Sequence, residues 1–412
     1  MQSKDDSYKV WAVCMQIITP WRLKWYPAAA LLAIAVAFLI CMFSGEGGQI
    51  LSGKLGGDFP AFYGAGRIVL DGNVDQLYNV EQQLAEQRGL HEISGKYLCF
   101  AYPPFVALPY AALAVFPYRI AYVINVLLML FALIIILKIL FKKYDISNQY
   151  YLLAFILSLS FFPIFKALFG GQNTLLTLFL LCLYWVYADR KKDVLAGVFL
   201  GLMLFKPQFA LPLIGLMLLS KRWVVVLSSL LTGLLLYLLC IYMLGTGWLF
   251  EWFEFALWFS KIDAEVNSIN AVSWLGFSET LFGPENTNVR FWGLFASVVN
   301  SLLLSFYWIK RYGSESGIVN LMPITCLSLI LIPVHTMYYD SGIMLIAVFS
   351  IVVFFEKYSL QIITIVWLCG FTQILAPYIG FSPIFFVVIV CLIAVSVIPF
   401  YNNKTHDTPL VL

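Results

Sequence analysis

The stretch VLAGVFLGLMLFKPQFALPLIGLMLL, residues 194–219, decides how this chain is laid out. It contains two apolar runs, 194–205 and 207–219, split at Lys206-Pro207-Gln208. A helix rises about 1.5 Å per residue, so each run covers only about two thirds of a hydrocarbon layer ~30 Å thick. Pro207 ends one helix and is well suited to start the next. The stretch therefore reads as a hairpin of two short helices with KPQ at its tip.

Longer apolar runs lie on both sides, near 27–43, 118–141, 148–165, 172–188, 222–244, 290–310, 317–333, 340–355, 359–376 and 382–401. A third short run, 103–116, follows YPP. Positive charge orients these segments. Lys4, Lys9, Arg22 and Lys24 precede the first run, and FKKYD, DRKKD, SKRW, IKRY and EKY mark further basic loops. All share the cytoplasmic side only if the 194–219 hairpin points its tip outward and 103–116 does not cross fully. Sixteen of the 25 Lys and Arg then fall inside, and fourteen of the 22 acids outside. The expectation is an all-α polytopic membrane protein, one domain over 1–412. It has about twelve transmembrane helices plus short or re-entrant ones, and both termini are cytoplasmic. Two long loops, 44–102 and 245–289, face outward. In the first, NVEQQLAEQRGL suggests an amphipathic helix lying at the interface through Val80, Leu84 and Leu90.

Composition agrees. Of 412 residues, 62% are hydrophobic and 11% charged, against about 25% charged in a soluble domain. A net charge of +3 without a basic block gives no reason to expect nucleic acid as a partner. The eight cysteines show neither disulfide nor zinc spacing and read as packing thiols. Residues 1–27 are too polar and aromatic for a cleavable signal. No repeat of fixed period and no inverted pair of halves is visible.

Polar residues at membrane level are costly and usually functional. The orientation gathers six segments on the outer side: Asp58 with Arg67, YPP at 102–104, GGQN at 170–173, KPQ at 206–208, Ser273 with Trp274, and PVHTMYYD at 333–340. Each has an ordinary alternative. Asp58 suits a solvated loop or the N-cap of the helix after it, but the adjacent glycines give another molecule room to approach. Arg67 suits either pairing with an acid or holding an anion. Lys206 suits either snorkelling or a fixed cation for phosphate. Gln172 and Asn173 suit helix capping or hydrogen bonding to hydroxyls. His335 and Asp340 suit mutual pairing or substrate contact. Tyr63, Tyr102 and Trp274 suit an interface belt first and sugar stacking second. No P-loop, dinucleotide fingerprint, Ser/His/Asp signature or HExxH occurs, so any energy arrives within an outer-side substrate.

In order, GGDFPAFYGAGRIVLDG, Tyr78, YPP, GQN, AG…G…KPQ and P-x-H-x-x-x-Y-D resemble the polyprenol-phosphate-mannose-dependent mannosyltransferases, glycosyltransferase family 87 of the GT-C superfamily. The resemblance runs over about residues 27–380. It implies a GT-C fold and a polyprenyl-phosphate-linked sugar donor, with a lipid or glycan acceptor, at the outer face of a bacterial cytoplasmic membrane. It implies that Asp58 is the general base of an inverting displacement. Lys206, Arg67 and His335 are the candidates for the donor phosphate. Tyr63, Tyr102, Gln172, Asn173, Gln208, Trp274 and Asp340 are the candidates for sugar and acceptor. No cofactor is expected, and without a DxD pair a divalent metal is not supported. Two other classes would leave different marks in the sequence. A lipid-linked oligosaccharide transporter would show inverted repeats and polar residues at mid-membrane depth. A surface-polysaccharide polymerase or ligase would carry several arginines in a late outer loop, whereas 245–289 has only Lys261, bordered by Arg290.

Overall fold

A computed structural model describes residues 19–43, 56–88, 90, 97–311 and 321–398. Both termini, and residues 44–55 and 91–96 of the first long loop, lie outside the described residues. The described chain is helical, with one isolated antiparallel bridge, Ala271 to Met337. In chain order the helices are α1 Pro20–Phe43, α2 Phe59–Leu70, α3 Val80–Gln87, α4 Ala107–Ala114, α5 Tyr118–Lys143, α6 Tyr151–Ser160 and α7 Phe162–Phe169. Then follow α8 Thr174–Asp189, α9 Asp193–Leu202, α10 Pro207–Leu219, α11 Trp223–Leu244, α12 Trp248–Asn267 and α13 Trp274–Phe282. The last are α14 Thr287–Arg311, α15 Met322–Leu331, α16 Leu345–Phe354, α17 Ser359–Phe371, α18 Ala376–Ile379 and α19 Ile384–Val397.

Among the described residues, four segments are long and apolar enough to cross a bilayer: α5, α11, α14 and Glu356–Ile379. A fifth is possible if α6 and α7 count as one span bent by 69°. Seven more apolar helices are only 10–17 residues long. The described chain therefore shows four or five full-length spans beside seven shorter apolar helices, short of showing all twelve. The run read as one span over 148–165 breaks at Phe161, whose backbone is extended (φ −62°, ψ 118°). Pro163 has no N–H to donate to Leu159 O and its ring crowds that carbonyl, so α6 cannot run on through it, and the bend falls just ahead of α7.

The hairpin at 194–219 forms as its sequence suggests. Lys206 leaves helical geometry (φ −125°, ψ 79°), and Pro207 occupies the first position of α10. Gly197 and Gly201, four apart, lay α9 directly on α11. A Cβ at either would come within 2.5 Å of Ser228 or Thr232 side chains, also four apart. This is the small-residue seam that lets membrane helices approach closely. Every residue of α15 is buried, as expected of a helix apolar on all sides. By contrast α11 turns Leu227, Leu231 and Leu235 outward, an exposed apolar face of the kind that lipid covers.

The first long loop is more built than an interfacial helix. Asn79 caps α3 by accepting from the N–H groups of Glu81 and Gln82. Its buried side chains are Gln83 and Gln87 rather than Val80 and Leu84. Gln83 accepts from Phe100 N at 3.0 Å and donates to Leu77 O at 2.7 Å; Gln87 accepts from Leu98 N at 3.1 Å and donates to Leu98 O at 2.7 Å. Two side chains one turn apart thus pair with an extended backbone as a neighbouring strand would. The same segment is held by Tyr78 Oη on Tyr102 O at 2.8 Å and Trp252 Nε1 on Ala101 O at 3.1 Å.

Helices α5 and α8 run in from this region. At their far ends Lys143 pairs with Asp189, while Arg222 pairs with Asp193 and donates to Ala188 O at 3.0 Å. The basic loops after α5, α8 and α10 so cluster at one end. Helix α2 packs on α4 at the other, where a Cβ on Gly66 would lie 2.4 Å from Tyr110 O. Gly66→Ala must push these helices apart and is expected to cost about 1–3 kcal/mol, seen as a lowered thermal midpoint of the solubilised protein.

Candidate active site

A cavity of about 710 Å³ opens at the end opposite the basic loops, within the range of small-molecule sites. Its walls come from six separate segments: Asp58 and Phe62, the 97–103 loop, Lys166 through Gln172, the Phe205–Gln208 turn, the inner face of α12, and 334–339. Of the residues singled out in sequence, Asp58, Tyr102, Gln172, Gln208 and His335 line it together.

Asp58 sits at the N-cap position of α2, but its side chain does not cap the helix. Gln172 Nε2 donates to its Oδ2 instead. The main chain fixes the same pair of loops, since Asp58 N donates to Gly170 O at 2.9 Å. The glycines beside them make room for each other's backbone, and Gly57 and Gly170 also line the cavity. Gly57 (φ +53°) could carry no Cβ without meeting Gly170 Cα at 2.7 Å. Gly171 (φ +68°) could carry none without meeting Phe59 Cβ at 2.4 Å. Both also hold the left-handed backbone that favours glycine.

Lys206 does not line the cavity. Its Nζ lies 2.7 Å from Asp340 Oδ1, and both side chains are buried. Thr174 Oγ1 donates to the same oxygen at 2.9 Å. Of the two readings open for His335 and Asp340, mutual pairing does not form: His335 Nδ1 lies 3.4 Å from Asp263 Oδ2. Arg67 neither reaches Asp58 nor enters the cavity. It pairs on the surface of α2 with Asp71 at 3.2 Å and Glu86 at 4.0 Å. Tyr63 donates to Phe116 O at 2.9 Å, away from the site. Trp274 packs edge-on against Phe385. Asn173 is buried behind the lining, with its Oδ1 3.5 Å from Tyr102 Oη.

Several lining residues escaped the sequence reading. Lys166 is exposed in the last turn of α7 and is the sole lysine or arginine among the described residues lining the cavity. The run 148–165 stopped one residue short of it. Asp263, Trp252 and Asn267 project from α12, whose mixture of acids and aromatics carries no motif. Tyr338 and Tyr339 flank the site within the late motif. Burial pushes the Cys99 thiol up to about 12 and raises the Tyr102 hydroxyl above its usual value, so both line the cavity as neutral groups. No set of three His, Cys, Asp or Glu side chains is grouped as for a metal ion among the described residues.

The family description glycosyltransferase family 87 matches residues 100–333. The chain belongs to that family. It is a membrane glycosyltransferase. No curated protein matches the chain. The span matched to family 87 includes Tyr102, Lys166, Gln172 and Gln208, whereas Asp58 precedes it and His335 follows it. The cavity is what joins these three parts of the family 87 chain. Lys206→Ala would strand the Asp340 carboxylate in the interior and is expected to cost about 3–5 kcal/mol. The double change Lys206→Met with Asp340→Leu should recover most of that loss; thermal unfolding of both proteins measures it.

Proposed function

We propose that the cavity transfers one sugar, mannose by closest resemblance, from a polyprenyl phosphate to a hydroxyl of a lipid or glycan acceptor. The site would face the outer side of a bacterial cytoplasmic membrane. The observation that carries the reading is the placement of one oriented carboxylate, Asp58, and one accessible cation, Lys166, on the same cavity.

The acceptor hydroxyl gives its proton to Asp58 as its oxygen attacks the anomeric carbon. The bond from that carbon to the phosphate oxygen breaks, the electron pair leaves with the polyprenyl phosphate, and the configuration inverts. A base must lie within hydrogen-bond reach of the proton it takes. Gln172 holds one Asp58 oxygen, which limits how the carboxylate can turn. The negative charge growing on the leaving phosphate calls for a cation, and Lys166 takes the role first expected of Lys206 and Arg67, while His335, the third candidate, lines the same cavity. Gln208 and Tyr102 offer hydrogen bonds to sugar hydroxyls, and positioning the two substrates supplies much of the remaining acceleration.

Membranes carrying the protein, given polyprenyl-phosphate sugars with different labelled monosaccharides, test this. Transfer by Asp58→Asn should fall about 10²–10⁴-fold; transfer equal to wild type would remove Asp58 as base. No transfer from any such donor would overturn the donor class. Lys166→Ala should raise the KM for donor about tenfold or more, the loss of one charge-assisted hydrogen bond, with a much smaller change for acceptor. The reverse ordering would place the phosphate elsewhere.

A further inference from the structure

Two carboxylates, Asp58 and Asp263, line the main cavity beside one ammonium, that of Lys166. Each carboxylate repels an anion. A lysine is a point charge on a flexible stem and by itself does little to orient a phosphate. A phosphate held here needs a further donor that brings no negative charge. We propose that the Tyr338 hydroxyl is that donor and binds the phosphate beside Lys166. The inference rests on the polyprenyl-phosphate reading above and adds a binding residue to the donor side of that site.

Several polar side chains on the cavity are already engaged. Tyr97 Oη donates to Gln83 at 2.6 Å, Asn267 Nδ2 to Asp263 at 2.6 Å, and Gln172 Nε2 to Asp58. His335 has its Nδ1 3.4 Å from Asp263, and both of these residues also line a smaller cavity of about 250 Å³. The Tyr338 hydroxyl makes no hydrogen bond among the described residues. Gln208, Ser260 and Tyr339 are open in the same way, but of the four only Tyr338 has a ring contact with α7, the helix that carries Lys166. Its ring stacks on Phe162, with centroids 5.9 Å apart and planes at 19°. Phe162 and Lys166 are four residues apart, so they lie on one side of α7, one turn from each other. The hydroxyl and the ammonium therefore approach the same part of the cavity. The backbone around Tyr338 is fixed as well. Met337 bridges to Ala271, Asp340 N donates to Met337 O at 2.9 Å, and the Asp340 carboxylate meets Lys206. A donor set in place before the ligand arrives loses little on binding. The bland account, a tyrosine of the interface belt, gives the hydroxyl no part in telling a phosphate from an alcohol.

Isothermal titration of the full-length protein in detergent with citronellyl phosphate, a short isoprenyl phosphate, and with citronellol, the same chain without the phosphate, tests the assignment. Wild type should bind the phosphate more tightly than the alcohol. Tyr338→Phe keeps the ring on Phe162 and removes only the hydroxyl. It should weaken the phosphate about tenfold, the loss of one hydrogen bond to a charged group. Binding of the alcohol and the thermal midpoint should stay as in wild type. In the transfer assay the same change should raise the KM for donor about tenfold and leave the KM for acceptor in place. Phosphate binding equal to wild type, or phosphate and alcohol weakened alike, overturns the proposal. Binding weakened by Lys166→Ala but not by Tyr338→Phe removes Tyr338 and leaves the donor site standing. No preference for the phosphate in wild type overturns the donor-phosphate reading and the role of Tyr338 with it.

Discussion

The contact between the Lys206 ammonium and the Asp340 carboxylate, with Thr174 as a second donor, ties together three segments far apart in sequence. Taking both charges out of water is costly, and each is tolerable only because the other is there. The pair therefore fixes where the α9–α10 turn, the start of α8 and the 338–344 segment meet. The residues next to each partner, Phe205, Pro207, Gln208, Gln172 and Tyr339, form cavity wall. A buried pair directly behind a binding surface thus sets the spacing of that surface while touching nothing inside it.

In front of it the polar groups face two spaces. Lys166 and Asp58 face the larger space, and the acids of α12 and α13 face the smaller one. Asp263 and His335 stand between them.

Much of this was legible in the sequence where the signal depends on backbone. KPQ could only turn, and the two runs beside it were too short to be anything but short helices. The gathering of Asp58, Tyr102, Gln172, Gln208 and His335 followed from charge asymmetry between loops. What was not legible was the direction of individual side chains. Lys206 and Lys166 both sit near the cavity in a run-and-loop reading, and only packing reveals that one points at a buried acid and the other at open space. The amphipathic pattern of α3 pointed at its apolar residues, yet its glutamines face inward because the adjacent backbone needed partners. The break at Phe161 hid inside a run whose hydropathy is continuous, and with it Lys166.

The meeting of Gly57 with Gly170, and of Gly171 with Phe59, has a mechanical consequence. Where Gly57 meets Gly170, backbone meets backbone, so rotamer changes there cannot absorb a displacement of one loop relative to the other. The carboxylate of Asp58 is carried on main chain locked to main chain, and its place is as rigid as the helices α2 and α8 that follow. The opposite wall is different in kind. The 97–102 segment hangs from two glutamine amides, a tyrosine and a tryptophan, each replaceable without rebuilding a helix. Variation in what the enzyme accepts can accumulate on that wall while the Asp58 carboxylate stays where it is.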